Sequence, residues 1–278
     1  IEASLRRFVH YDYWENKLRS SILEDSRADL LIYGMGETQI KEIADYLAGG
    51  ASLEDLHYIR GTAYLSKTLP EEEFVELPGY AEIKENKEKF ALAYKLQSQE
   101  GDPFTGKVVV QKGTSKYIIQ NPSTYPLSEE GMDAIYDLDY MRSFHPSYQA
   151  QGGVPALEEV EFSLVSSRGC FGSCSFCAIH AHQGRIIQAR SDESILREAK
   201  ILTQSSNFKG YIHDVGGPTA NFRHPACSKQ LKFGACRDRQ CLYPGPCPNL
   251  DADHSAYVKL LQKLRYIPGV KKVFIRSW

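Results

Sequence analysis

Three cysteines fall within eight residues of this chain, Cys170-Phe171-Gly172-Ser173-Cys174-Ser175-Phe176-Cys177, and the remaining sequence is ordered around them. The spacing is C-x3-C-x2-C. Three thiolates suffice to hold three irons of a cubic iron–sulfur cluster, which leaves the fourth iron open to a substrate or cofactor. A closed structural cluster takes four cysteines, and a structural zinc site takes four ligands. Zinc ligation and incidental buried thiols are the competing readings of the same three residues.

The seven cysteines all lie between residues 170 and 247. An odd, clustered set in a chain of 278 residues is unlike a disulfide scaffold and suits metal or redox chemistry in a reducing cytosol. Net charge is -2, so no global basic field points to nucleic acid. No apolar run approaches the length of a membrane span, and no secretory signal is visible, so a cytoplasmic protein is expected. The chain begins at Ile1 without methionine and ends at Trp278 soon after an apparent strand, so it reads as an excerpt of a longer protein.

In chain order, residues 1–27 combine Arg6, Arg7, Phe8, His10, Tyr11, Tyr13 and Trp14, read as surface and packing residues ahead of a binding role. Ala28–Gly34 has the look of a buried parallel strand. After Gly34 and Gly36 a helix is expected to bury Ile40, Ile43, Ala44 and Leu47. Residues 66–80, with two prolines and Glu71-Glu72-Glu73, read as an exposed connection. One amphipathic helix is expected over 81–98, then a hairpin of 107–110 with 117–120 turning at Gly113, a short helix in 129–141, and a linker at 142–156. The first domain is therefore placed at 1–150 and the second at 151–278, with a cysteine-rich insert at 222–250. The second domain opens with a strand over 159–166, in which Val160, Phe162 and Leu164 alternate. Ser191 caps the next helix, whose buried stripe is Ile195, Leu196, Ala199 and Leu202. A strand over 210–215 ends at Gly216-Gly217-Pro218, a helix over 254–265 faces Tyr257, Val258, Leu261 and Leu264 inward, and Lys271–Ile275 is a third strand. The order β-α-β-α-β implies an α/β fold with a parallel sheet or barrel, whose chemistry sits past the carboxyl ends of the strands.

The cysteine spacing at a strand-to-helix loop resembles the signature of radical S-adenosylmethionine enzymes. More narrowly, the chain resembles the YgiQ-type members of that group. The residues that carry this are Ile1–Phe8 with His10–Trp14, Gly184–Gln188, Asp214–Asn221 and Cys241–Gly245. The resemblance implies a partial (β/α) radical-SAM-type barrel, incomplete here, preceded by the end of an α/β cobalamin-binding-like domain. It implies Cys170, Cys174 and Cys177 as ligands of a [4Fe–4S] cluster, and S-adenosyl-L-methionine bound at the open iron. Phe176 would lie near adenine, and Gly216 and Gly217 would meet the methionine amino group through backbone. Proline at 218 replaces the glutamate common in the group, which weakens any carboxylate role there. An electron donor such as flavodoxin or ferredoxin is implied. Cobalamin binding and the substrate stay open.

Four further thiols, Cys227, Cys236, Cys241 and Cys247, suit a second iron–sulfur cluster or zinc, with stray thiols or disulfides as the alternative. His180, His182, Arg168, Arg185 and the pair His213-Asp214 are weaker candidates for contacts near the loop. Two other functions compete: a methylthiotransferase-like RNA modifier, disfavoured by the neutral charge, and a non-enzymatic iron–sulfur or zinc protein.

Overall fold

A computed structural model of the chain describes residues 1–218 and 222–276. Thr219, Ala220 and Asn221 of the glycine-loop motif, and Trp278, lie outside the described residues. The elements are α1 (Glu2–Leu5), β1 (His10–Asp12), β2 (Lys17–Arg19), α2 (Ile22–Ser26), β3 (Leu30–Ile32), α3 (Glu37–Ala48), β4 (Thr62–Ser66) and β5 (Phe74–Leu77). There follow α4 (Tyr80–Glu85), α5 (Lys87–Gln99), β6 (Val108–Lys112), β7 (Tyr117–Gln120), α6 (Glu129–Tyr136), α7 (Leu157–Val160), β8 (Ser163–Val165), β9 (Ser167–Arg168) and α8 (Ile179–Gln183). The last are β10 (Gln188–Ala189), α9 (Asp192–Thr203), β11 (Tyr211–Ile212), β12 (Asp214–Gly216), α10 (Gln230–Phe233), α11 (Ser255–Arg265) and β13 (Lys272–Val273). They form two compact units. One comprises Ile1–Tyr125, Ser173–Arg185 and Lys229–Gln240; the other comprises Pro126–Gly172, Ile186–Ser228 and Cys241–Trp278.

The first unit is built on a five-stranded sheet in the order β3-β4-β7-β6-β5. The hairpin β6–β7 forms as expected, with Val110 opposite Ile119. Alternate side chains serve the two faces: Val109 and Ile118 pack with Phe8, Leu23, Ile83 and Ala93, while Val108, Val110 and Ile119 form a separate cluster. A strand covered on both faces reads as an unbroken apolar run, which is why Val108-Val109-Val110 was legible.

Other expectations for this unit are corrected. The strand after Ala28 is antiparallel to β4 and only half-buried, because it lies at the sheet edge. In α3 only Gln39 and Ile43 are buried; Ile40 and Leu47 face out. The stretch 66–80 is not all connection: β5 runs parallel to β6 at the other edge, behind the acidic run. Charges beside an edge strand discourage pairing with other chains, and here they masked the strand. The expected single helix is two. Asn86 adopts an extended backbone between α4 and α5, and its side chain accepts from the Glu88 amide at 2.8 Å as an N-cap.

In the second unit the run 211–216 is flanked by parallel partners. Its carboxyl half, β12, pairs with β8, and its amino half, β11, pairs with β13. The β-α-β-α-β order thus gives parallel pairing, with α9 and α11 packed on the strands through Ile195, Ala199, Leu202, Tyr257, Leu260 and Leu264. Among the described residues no closed barrel forms. The opening strand is shorter than expected: Val160 ends α7 and is exposed, while Phe162 and Leu164 are buried. In α11 Val258 faces out and Leu260 faces in.

Ser191 caps α9, accepting from the Ser194 amide at 3.0 Å, and is itself held by Asp133 of α6 through both its amide and its hydroxyl. Ser191→Ala is expected to destabilise the chain by about 1–2 kcal/mol, since it removes the cap and the hydroxyl donor to Asp133, which keeps only the residue 191 amide of this pair. Urea denaturation checks this; a change within about 0.3 kcal/mol would contradict it.

Candidate metal and cofactor loop

The cysteine loop leaves the second unit just beyond β8. Its base there is an antiparallel ribbon, with Arg168 opposite Gln188 and Ser167 opposite Ala189. Gly169 follows the ribbon with φ +90°, and a side chain on it would meet the Ile186 carbonyl oxygen at 2.1 Å. Only glycine fits both demands. Cys170 is buried, and the Gly172 amide points at its sulfur at 3.3 Å. Phe171 is fully buried against Ile187, Ala226, Phe222 and Cys241 and anchors this end of the loop.

The rest of the loop belongs to the first unit. Ser173 turns the chain with φ 50°, and the Cys177 amide donates to the Cys174 carbonyl at 3.0 Å. Cys174 is exposed and Cys177 half-buried. Phe176 is 90% exposed, so its ring is available to a ligand. In α8, His182 shares a 2.9 Å hydrogen bond with the Ser4 hydroxyl, which also accepts from the Gly34 amide. Burial and the charge of Arg185 hold the His180 imidazole below its ordinary pKa, against the pull of the Cys177 carbonyl.

The arginines flanking the loop both have structural partners. In the second unit Arg168 donates to the Tyr136 hydroxyl at 3.2 Å and lies over that ring. In the first unit Arg185 donates to the carbonyls of Cys236 and Arg239, at 2.8 and 3.0 Å. The segment carrying Cys236 is also held by Glu100, paired with Arg237, and by Asp102, which accepts from the Ala235 amide at 2.7 Å. Sequence reasoning missed Arg190. It is fully buried, and it donates to Glu198, Ser194 and the Val165 carbonyl at the end of β8, beneath the Tyr136 ring. Nothing in the residue pattern marks an arginine as buried before its partners are assembled.

Gly216 ends β12, in register with Val165 of β8, and its carbonyl accepts from the Ser166 amide at 2.7 Å. A side chain on Gly217 would meet the Ser167 hydroxyl at 2.2 Å. His213 has its amide in the strand ladder and its ring edge-on to Phe162, and Asp214 accepts from the Arg276 amide.

None of the seven cysteines forms a disulfide, so the thiols are chemically available to a metal. Of the second group, Cys236 belongs to the first unit, and Cys227, Cys241 and Cys247 to the second, where the Cys247 amide donates to the Cys241 carbonyl at 2.8 Å. As placed, no three His, Cys, Asp or Glu side chains among the described residues stand together closely enough to hold a metal ion. The donor chemistry of Cys170, Cys174 and Cys177 fits a thiolate-bound cluster.

A family model described as Radical SAM N-terminal matches residues 1–163, more than half of the 278-residue chain. The chain belongs to the Radical SAM N-terminal family. Two of its relatives are a UPF0313 protein of Clostridium botulinum (strain ATCC 19397 / Type A), 55% identical over 278 residues, and a UPF0313 protein of Clostridium perfringens (strain 13 / Type A), 54% identical over 279 residues. The alignments cover 100% of this chain but 43% and 42% of the relatives, so the chain spans less than half of their length. Family membership agrees with the resemblance drawn from the residues at the level of radical SAM proteins. Among the described residues no helix is long and apolar enough to cross a membrane.

Proposed function

We propose that this chain is part of a radical S-adenosylmethionine enzyme of YgiQ type, with Cys170, Cys174 and Cys177 as ligands of a [4Fe–4S] cluster. One observation carries the reading: within a Radical SAM N-terminal chain, three thiols follow a parallel strand whose hydrogen-bonded neighbour ends at Gly216-Gly217. When bound, the cluster supplies the electron that splits S-adenosylmethionine into methionine and a 5′-deoxyadenosyl radical, which takes hydrogen from a substrate. The chain's own residues do the holding. Buried Phe171 and the ribbon β9–β10 fix one end of the loop, and Cys174 and Cys177 remain reachable for loading. The Phe176 ring offers a face to adenine, and the backbone at Gly216-Gly217 offers polar groups to the amino acid part of the cofactor.

On this reading the three parallel strands of the second unit are the opening strands of a (β/α) core; residues 151–278 are well short of the roughly 250 of a complete barrel. The reading of residues 1–150 as the end of a cobalamin-binding-like domain has less support. Strands β3, β4, β7 and β6 pair antiparallel, whereas nucleotide-type α/β units join parallel strands. Cys227, Cys236, Cys241 and Cys247 are proposed as ligands of a second iron–sulfur cluster or zinc.

The test uses the full-length protein, reconstituted anaerobically with iron and sulfide. About four irons per chain are expected, or about eight with a second cluster. Reduction with S-adenosylmethionine should release 5′-deoxyadenosine, and Cys174→Ala should lower that release on the order of 100-fold or more. Zinc alone with no iron chromophore, or equal release from the variant, would refute the assignment. Salt-sensitive RNA binding would favour an RNA modifier within the same chemistry.

A further inference from the structure

Within the first unit, α1, β1 with the turn that follows it, α5 and α8 line an open cavity of about 430 Å³. That volume lies in the range of small-molecule sites. Its floor is apolar and buried: Phe8, Val9, Leu77 and Ala93. Its walls carry the rings of Tyr11, Tyr13, Trp14, Phe90 and Tyr94. Trp14 is 92% exposed and meets Tyr13 edge-on at 5.9 Å, so the hairpin tip presents aromatic faces that the core does not use.

The ionised groups of the lining are already matched. Arg6 pairs with Glu2 at 2.6 Å and with Asp25 at 3.6 Å, and Asp12 pairs with Arg19 at 3.4 Å. His10 accepts from the Arg6 guanidinium at 2.7 Å through Nε2, which requires the neutral ring. Burial also holds its pKa below the ordinary value. A charged ligand would find no uncompensated partner on these residues. The Tyr94 hydroxyl and the Gln97 amide, three residues apart on α5, add uncharged polar groups to the lining.

We propose that this cavity binds a neutral aromatic molecule of one or two rings, stacked against Trp14 and Tyr94 and hydrogen-bonded by Gln97. Ala181 of α8, four residues past Cys177, also contributes to the wall. The proposal stands on the cavity alone and does not require a cluster.

The probe is N-phenyl-1-naphthylamine, a neutral aromatic amine whose emission rises in apolar surroundings, added to the full-length protein without iron or S-adenosylmethionine. Saturable binding is expected, with energy transfer from Trp14. Trp14→Ala removes an exposed ring with little consequence for folding and should weaken binding about three- to tenfold. Gln97→Trp, which fills the cavity, should weaken it about tenfold or more. Leu92→Ala, exposed on α5 and outside the lining, should bind as wild type. Circular dichroism verifies the fold of each variant. Non-saturable binding, or wild-type affinity in either Trp14→Ala or Gln97→Trp, would overturn the assignment. So would binding to the 278-residue chain but not to the full-length protein, which would mean that the protein's own remaining sequence fills the cavity.

Discussion

Gly169→Ala is expected to cost about 3–5 kcal/mol and to unseat the cysteine loop. Gly169 has φ +90°, a conformation that costs an L-residue about 1–2 kcal/mol by itself. The added methyl would also stand 2.1 Å from the Ile186 carbonyl oxygen and 3.3 Å from the Ile187 Cα. Both are backbone atoms, so no side chain can rotate to relieve the contact. The chain must shift either Gly169 or the segment 186–187, which leads into β10 and its pairing with β9. Parting that ribbon exposes Phe171 and Ile187, which are now buried together. Urea unfolding with amide hydrogen exchange at 187–189 measures the loss, and iron uptake should fall in parallel. A change of less than about 1 kcal/mol with unaltered exchange would show that the close approach is not required.

Arg190→Met is expected to cost about 3–5 kcal/mol for a different reason, the stranding of buried polar groups. The Arg190 guanidinium lies wholly inside the second unit, 2.6 Å from Glu198, 2.9 Å from the Ser194 hydroxyl and 3.0 Å from the Val165 carbonyl. Methionine has similar reach but no donors. Its arrival removes the 2.6 Å partner of the mostly buried Glu198 carboxylate, whose other ion pair among the described residues is with Arg142 at 3.8 Å, and leaves the Val165 carbonyl without this donor. Much of the cost is the unpaired carboxylate, so Arg190→Met with Glu198→Gln should be less destabilised than the sum of the two single variants by about 1–3 kcal/mol. Strict additivity, or a single-variant effect below about 1 kcal/mol, would remove Arg190 from its place beneath β8. Since Val165 precedes the loop by five residues, the variant also reports how firmly the strand end carries Cys170.

How much was legible in advance depended on whether a residue's signal was local. Cys170, Cys174 and Cys177 were found by spacing, Ser191 by its place before two acidic residues, and the β6–β7 hairpin by two apolar runs around a glycine. The break at Asn86 was also local in principle, since asparagine is a favoured cap, but the continuing apolar pattern outweighed it. The strand β5 was hidden because its identity rests on the partner β6 more than 30 residues later, and the prolines and acids around it signalled a loop. Three of the four residues of the expected α3 stripe, Ile40, Ala44 and Leu47, are exposed, because only Ile43 meets the small cluster formed with Leu30, Ile32, Ala51, Leu53, Leu56 and Ile59.

By itself, then, the sequence determined the three-thiol loop after an apolar strand, the parallel order of the strands around it, and enough residues to mark a radical SAM protein. Each of these depends on neighbours within a few positions or on a period of two or three to four residues. The tertiary structure alone decided why residue 169 must be glycine, that an arginine is buried beneath the strand that carries the loop, and that Trp14 and Tyr94 face one cavity. Those facts depend on which distant segments come into contact, and the free energy of burial, pairing and close approach is set by those contacts rather than by any short run of residues.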